Sequence, residues 1–315
     1  MRIAVLDDYQ GAALLSADWS AVKAAADVVV FRDTLADEEA IAGRLKDFEI
    51  VCLMRERTPF PERLIAHLPK LRLIVTTGMR NAAIDVAVAN ARGIVVSGTA
   101  GSGASTVELT WALILALARN VTREHAAMRH GAWQSTLGSD LAGRTLSLLG
   151  LGRIGAAVAR IGLAFGMQVL AWSQNLTPER AEEVGAKRVT REAAFAEADV
   201  LSVHLVLSQR SRGLIDAAML GRMQPGALLI NTSRGPIVDE AALLAALRSG
   251  RLGGAGLDVY DQEPLPADHP LRRLDNVVLT PHLGYVTRQN YAVFYRETVE
   301  NILAFLAGRP IRVLA

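Results

Sequence analysis

Thr145-Leu146-Ser147-Leu148-Leu149, then Gly150-Leu151-Gly152-Arg153-Ile154-Gly155, then an apolar helical run over residues 154–163, is the stretch that decides how this sequence reads. Alone, G-x-G-x-x-G is a weak signal, because any glycine-rich turn can supply it. A strand directly before it and a helix directly after it give it meaning. In that setting Gly150 permits the tight turn and Gly152 lets the backbone approach a pyrophosphate. Gly155 lets helix and strand pack closely, and the helix N-terminus, carrying Arg153 and Ile154, faces the phosphates.

The next strand, over 168–172, should end about 20 residues on in a carboxylate that holds a ribose 2′-hydroxyl. It ends instead in Ser173-Gln174-Asn175. A serine can hydrogen-bond a hydroxyl or a phosphate and lacks the charge that repels a 2′-phosphate. The expected cofactor is therefore NAD or NADP, used interchangeably or with a modest preference for NADPH. Arg153 and Arg180 are the cations considered for a 2′-phosphate.

On the N-terminal side, short apolar runs at 3–6, 28–31, 50–54, 71–76 and 94–96 read as strands. Helix-like spacing over 35–45, 61–68 and 82–91 separates them. Ser97-Gly98-Thr99-Ala100-Gly101-Ser102-Gly103 is a glycine-rich candidate hinge. A long helix is expected over 106–133, apolar nearly all round from 107 to 118. On the C-terminal side, strands are expected at 145–149, 168–172, 200–204, 227–231, 254–258 and 277–280, with a last helix over 287–307. Such alternation predicts an α/β protein of two doubly wound parallel-sheet (Rossmann-like) domains with a cleft between them.

Composition supports this. The chain has 315 residues, 51% hydrophobic but only 5% aromatic, so its cores are aliphatic. Thirty-four basic and 32 acidic residues are interspersed, giving a net charge of +2 and no patch for nucleic acid or a membrane surface. The longest apolar stretch, 111–118, is far below the roughly 18 residues of a membrane span, and no signal peptide opens the chain, so a cytoplasmic protein is expected. The single cysteine, Cys52, lies in an apolar strand and reads as a core residue. The six histidines show no H-E-x-x-H or H-x-x-E-H spacing and no C-x-x-C is present, so no metal site is expected.

Three segments near the C-terminus concentrate the chemistry: Asn231-Thr232-Ser233-Arg234-Gly235, Leu257-Asp258 with Glu263-Pro264, and Thr280-Pro281-His282-Leu283-Gly284. Each follows a strand, and open α/β sheets bind ligands at strand C-terminal ends. With the glycine motif, Ser202-Val203-His204-Leu205 and the run from Thr232 to Gly250, these segments make the whole chain resemble the D-isomer-specific 2-hydroxyacid dehydrogenases. The resemblance implies a substrate domain of residues 1–100 plus 285–315 and an NAD(P)-binding domain of 101–284. It implies hydride transfer between NAD(P)H and a small 2-keto or 2-hydroxy acid, by enzymes of the glyoxylate/hydroxypyruvate reductase or phosphoglycerate dehydrogenase type. Arg234, Glu263 and His282 would be catalytic, and His204, Thr232, Asp258 and Gly284 would line the cofactor pocket.

The chemistry of the side chains agrees. Arg234 offers a planar fork that grips a carboxylate and polarises a carbonyl. His282 is the residue type that most readily gives or takes a proton in catalysis, and Glu263 would orient its ring. Gly78 and Met79, in the turn Thr77-Gly78-Met79-Arg80-Asn81, and Arg55 are expected at the substrate. Arg80 stands where relatives often carry Asp, and Arg55 with Arg57 adds cations suited to a larger or dianionic acid. Tyr285 is bulkier than the small residue often found there. A homodimer is expected through helix 107–118, which is too apolar for one domain to cover. Two competing readings are a nucleotide-sensing corepressor of the same fold, which the intact Arg234–Glu263–His282 set opposes, and formate oxidation, which Glu263 opposes.

Overall fold

The computed structural model describes residues 1–315 and divides into two compact units, Met1–Ser102 with Val286–Ala315, and Gly103–Tyr285. The first unit holds strands β1 (Arg2–Val5), β2 (Asp27–Val30), β3 (Ile50–Leu53), β4 (Leu73–Thr76) and β5 (Val95–Gly98), all parallel, in the order β2-β1-β3-β4-β5. Side chains alternate between faces, as strand geometry requires. Ala4, Val51, Leu53, Ile74 and Val96 join one core with Ile41, Leu45, Leu64, Ile65 and Ala89 of three helices. Helix Arg288–Leu306 returns to this unit and packs against β4, and its Tyr295 meets Trp19. Beyond it the tail bonds along β5, where Gly98 N donates to Arg312 O and Leu314 N to Val96 O.

The second unit holds β6 (Thr145–Leu149), β7 (Gln168–Trp172), β8 (Lys187–Arg188), β9 (Val200–Val203), β10 (Leu228–Asn231), β11 (Gly254–Leu257) and β12 (Val277–Leu279). Their order is β12-β11-β10-β9-β6-β7-β8, again all parallel. The expectation of two parallel-sheet α/β domains is met; β8, too short and polar to show as an apolar run, was not expected. One face of the sheet (Leu146, Leu148, Val169, Ala171, Val200, Ile230) packs on helices Ala104–Ala118 and Arg153–Ala164. The other (Leu149, Leu201, Val203, Leu229, Ala255, Leu257) packs on helices over 191–196, 217–222 and 240–248. Strand order reverses between β6 and β9, the position where such sheets bind dinucleotides.

One expectation is corrected here. The helix expected over 106–133 is two helices, Ala104–Ala118 and Val121–Arg129, broken at Asn120, which takes φ +52° and donates through its amide to Leu137 O. Asparagine tolerates this left-handed conformation better than most residues. In the apolar helix Val107, Trp111, Leu113, Ile114 and Ala118 are buried in its own unit and Trp111 stacks on Phe165, while Leu109, Leu115 and Leu117 are only partly buried and Ala112 is exposed. Cys52 is buried as expected, and burial pushes its thiol up to about 12.

Candidate active site

The glycine turn does what its spacing requires. Gly150 has φ +102°, and a Cβ there would come within 2.5 Å of His204 O. A Cβ on Gly155 would run into Gly150 O, so helix and strand meet as closely as backbone allows. At Gly152 a Cβ would meet nothing within 4 Å, leaving an open cradle. Thr177, Thr190, Asp216 and Asp239 each cap a helix of this unit, but helix Arg153–Ala164 has no side-chain cap, and its first amides are left for an anion. The cradle and the uncapped terminus fit a dinucleotide pyrophosphate.

At the ends of β6 and β9, His204 N donates to Leu149 O, and the His204 ring nitrogen Nε2 lies 2.9 Å from the buried Ser202 hydroxyl. Desolvation pushes the imidazole down to about 4, so it is neutral near pH 7. At the end of β7, Ser173 is half-buried and Gln174 is exposed. Neither cation expected there is directed to it: Arg180 pairs with Glu183, and the Arg153 guanidinium lies against Gly103. The cation that does reach this strand end is Arg210, whose Nη1 donates to Gln174 Oε1 at 3.3 Å.

Three loops beyond β10, β11 and β12 build the rest. Asn231 donates to Arg234 O and accepts from Ser233 N, an Asx-type turn that presents Arg234, whose Nη1 donates to Ser233 O at 2.6 Å. A Cβ on Gly235 would collide with the Tyr260 carbonyl, so the Arg234 turn seats against the loop after β11. In that loop Tyr260 N donates to Glu263 Oε1 at 2.9 Å, and Glu263 Oε2 lies 2.6 Å from His282 Nδ1. The Tyr260 hydroxyl meets Leu257 O and Thr280 O, tying the two loops.

His282 has φ +53° and is held there by its N–H donating to Asp258 O. The Asp258 side chain is fully buried and accepts from the Thr280 hydroxyl, Leu283 N and Gly284 N. Desolvation raises its pKa despite these donors. Gly284 O is taken by Thr106. The Thr110 hydroxyl donates to Thr106 O, so at 2.9 Å it is Thr232 that donates to Thr110. These contacts fix the positions of Asp258, Thr232 and Gly284 at the strand ends. Asn231, Tyr260 and Thr280, which position the loops, were not singled out from sequence; only Asn231, an Asx-turn former three residues before Arg234, carried a readable signal.

In the other unit, Arg55 (φ +54°) donates from its backbone N to the Thr77 hydroxyl, and its guanidinium covers Gly78, where a Cβ would strike it. Gly78 (φ +92°) donates its N–H to Thr99 Oγ1, which ties the turn to the segment after β5. Met79 is exposed, and Asn81 locks the turn through Arg55 O and Thr76 Oγ1. Arg57 donates to Asp7 O and stacks over Tyr9. No group of three or more His, Cys, Asp or Glu side chains stands where it could hold a metal ion.

Fold and site together define a nicotinamide-binding α/β oxidoreductase, and comparison with known proteins agrees. The family model described as D-isomer specific 2-hydroxyacid dehydrogenase, NAD binding domain, matches residues 111–284. A glyoxylate reductase from Aeropyrum pernix is 41% identical over 256 residues, 78% of this chain and 76% of that protein. A D-3-phosphoglycerate dehydrogenase from Archaeoglobus fulgidus is 36% identical over 87% of this chain, which spans only 52% of that longer protein. The solved phosphoglycerate oxidoreductase from Vibrio cholerae superposes with a TM-score of 0.92 at 39% identity, covering 98% of this chain and 99% of that one. The chain belongs to the D-isomer specific 2-hydroxyacid dehydrogenases. It is an NAD(P)-dependent oxidoreductase of 2-hydroxy acids.

Proposed function

We propose that the chain reduces small 2-keto acids, of the glyoxylate and hydroxypyruvate type, to D-2-hydroxy acids, with His282 as proton donor, Glu263 as its partner and Arg234 as the carboxylate clamp. The observation that carries this reading is the 2.6 Å contact between His282 Nδ1 and Glu263 Oε2. A carboxylate accepts, so Nδ1 carries the hydrogen and Nε2 is left to exchange a proton with substrate oxygen. The nicotinamide, when bound, supplies the hydride to the carbonyl carbon. The imidazolium gives its Nε2 proton to the oxygen as charge develops there, and Arg234 holds the carboxylate in place and stabilises that charge. In the oxidative direction Nε2 takes the proton back.

The unit carrying Gly150–Gly155 and His204 is assigned to the cofactor, and the unit carrying Arg55, Gly78 and Met79 to the substrate. Ser173, with no carboxylate beside it, supports use of both NADH and NADPH with a modest preference for NADPH. Homodimer formation is assigned to the segment after the buried helix, since helix Val121–Arg129 has no buried residue and Val121, Met128, Trp133 and Leu137 are all exposed. One buried cysteine and no helix long and apolar enough to cross a membrane support work in the cytoplasm.

A panel of 2-keto acids, assayed with NADH and NADPH in parallel, tests the reading. Turnover of at least one acid with both cofactors is expected. Dinucleotide binding without turnover of any acid would instead identify a nucleotide-sensing protein.

A further inference from the structure

Selection between NADH and NADPH on this fold is decided beside the ribose 2′-position, where a carboxylate excludes a phosphate and a cation attracts it. The end of β7 has no carboxylate, and the cation that reaches it comes from a different loop. Arg210 lies 36 residues from Gln174 in sequence, on the turn after β9, and spans the gap with its Nη1 at 3.3 Å from Gln174 Oε1. That turn is well anchored. The buried Ser211 accepts from Ser208 N at 2.8 Å and donates to Val206 O at 2.7 Å, and Arg212 N closes on Ser208 O at 2.9 Å. The guanidinium is therefore carried by a fixed backbone, while its bond to a neutral, exposed amide is a weak one to give up. A phosphate offers the same donors three charged acceptors in place of one neutral oxygen. The other arginines considered have settled elsewhere, Arg180 on Glu183 and Arg153 against Gly103.

We propose that Arg210 is the residue that selects the cofactor: it leaves Gln174 to clamp the 2′-phosphate of NADP, beside the hydroxyl of Ser173. This rests on the reading above that NADPH is accepted. When NADH is bound, Arg210 keeps its bond to Gln174, and neither state is strongly penalised, which is why the preference is modest.

The test is direct binding, by calorimetry or by quenching of tryptophan fluorescence, of NADPH, NADH, 2′,5′-ADP and 5′-AMP to the wild-type protein and to Arg210→Ala, Arg210→Lys and Arg210→Glu. Losing a charge-assisted bond to phosphate should lower the NADPH-to-NADH affinity ratio about 10–100-fold in Arg210→Ala. The 2′,5′-ADP-to-5′-AMP ratio should fall in parallel, Arg210→Lys should keep part of both, and Arg210→Glu should fall furthest. If the wild type prefers NADPH and Arg210→Ala keeps that ratio, the role of Arg210 is wrong while acceptance of NADPH stands. A wild type that binds 2′,5′-ADP far more weakly than 5′-AMP would overturn acceptance of NADPH, and the role of Arg210 with it. Equal losses for all four ligands would show Arg210 to be structural, and the unfolding midpoint of each variant checks that it is folded.

Discussion

His282 Nδ1 sits 2.6 Å from Glu263 Oε2, while the second oxygen of the same carboxylate accepts the Tyr260 amide at 2.9 Å. The carboxylate is thus held by backbone on one side and holds the imidazole on the other. His282→Ala should lower kcat by about 10²–10⁴-fold, the usual worth of a general acid, and change the Kd of NADH little. Glu263→Gln has one acceptor for two donors, so one contact becomes N–H against N–H. A kcat loss of about 10–100-fold is expected, the scale of one charged hydrogen bond. Steady-state kinetics on the 2-keto acid found in the substrate panel decides; retention of full kcat in His282→Ala would remove it from the proton-donor role.

Arg234→Lys tests geometry at constant charge. An ammonium cannot reproduce a planar two-pronged grip, and the Arg234 Nη1 contact to Ser233 O is lost as well. KM for the keto acid should rise and kcat should fall, lowering kcat/KM by about 10–100-fold. An unchanged KM for every acid tested would count against a carboxylate-binding role.

The glycine turn separates folding from binding. Gly155→Ala places a methyl against Gly150 O, and the backbone must shift, at a cost of about 1–3 kcal/mol or more in unfolding free energy. Gly152→Ala meets no protein atom within 4 Å and should leave stability within about 1 kcal/mol. Its methyl stands in the cradle, so the same variant should bind NADH and NADPH at least about tenfold more weakly. Denaturant titration and dinucleotide binding, run on both variants, check the contrast; equal behaviour of the two would refute it.

His204 makes stability depend on pH. Its imidazole is pushed down to about 4 in the folded chain against an ordinary 6.5. Between those values the unfolded chain binds the extra proton, so stability falls as pH drops from 6.5 towards 4 and is fully regained above 6.5. The residue keeps some solvent exposure, so the contribution should be at most about 3 kcal/mol. His204→Gln should flatten the wild-type slope across this window. Chemical unfolding at pH 4.5 and 7.5 measures it, and identical slopes would assign the pH dependence to other groups.

The strand 145–149, the glycine turn and the helix after it were legible because each depends on neighbours within a few residues: alternation, φ freedom and backbone approach are local properties. The same holds for the other long parallel strands, whose apolar runs announce burial on both faces. Arg234, Glu263 and His282 were legible as residue types at strand ends. Locality also explains the failure at Asn120, where an apolar periodicity ran on through a residue whose left-handed turn is tied to Leu137 O, 17 residues away.

Sequence by itself determined the two parallel-sheet units, the dinucleotide turn and the identity of the chemical groups. Tertiary structure alone decided what each polar group is spent on. Asp258 is one more carboxylate at a strand end in the sequence; folding brings Thr280, Leu283 and Gly284, 22 to 26 residues away, onto its two oxygens. Arg210 carried no signal until the sheet order placed the loop after β9 near the end of β7. The physical reason is that a hydrogen bond is satisfied by whatever lies within about 3 Å in space. Chain spacing specifies that only within a single turn or strand; across a sheet, topology does.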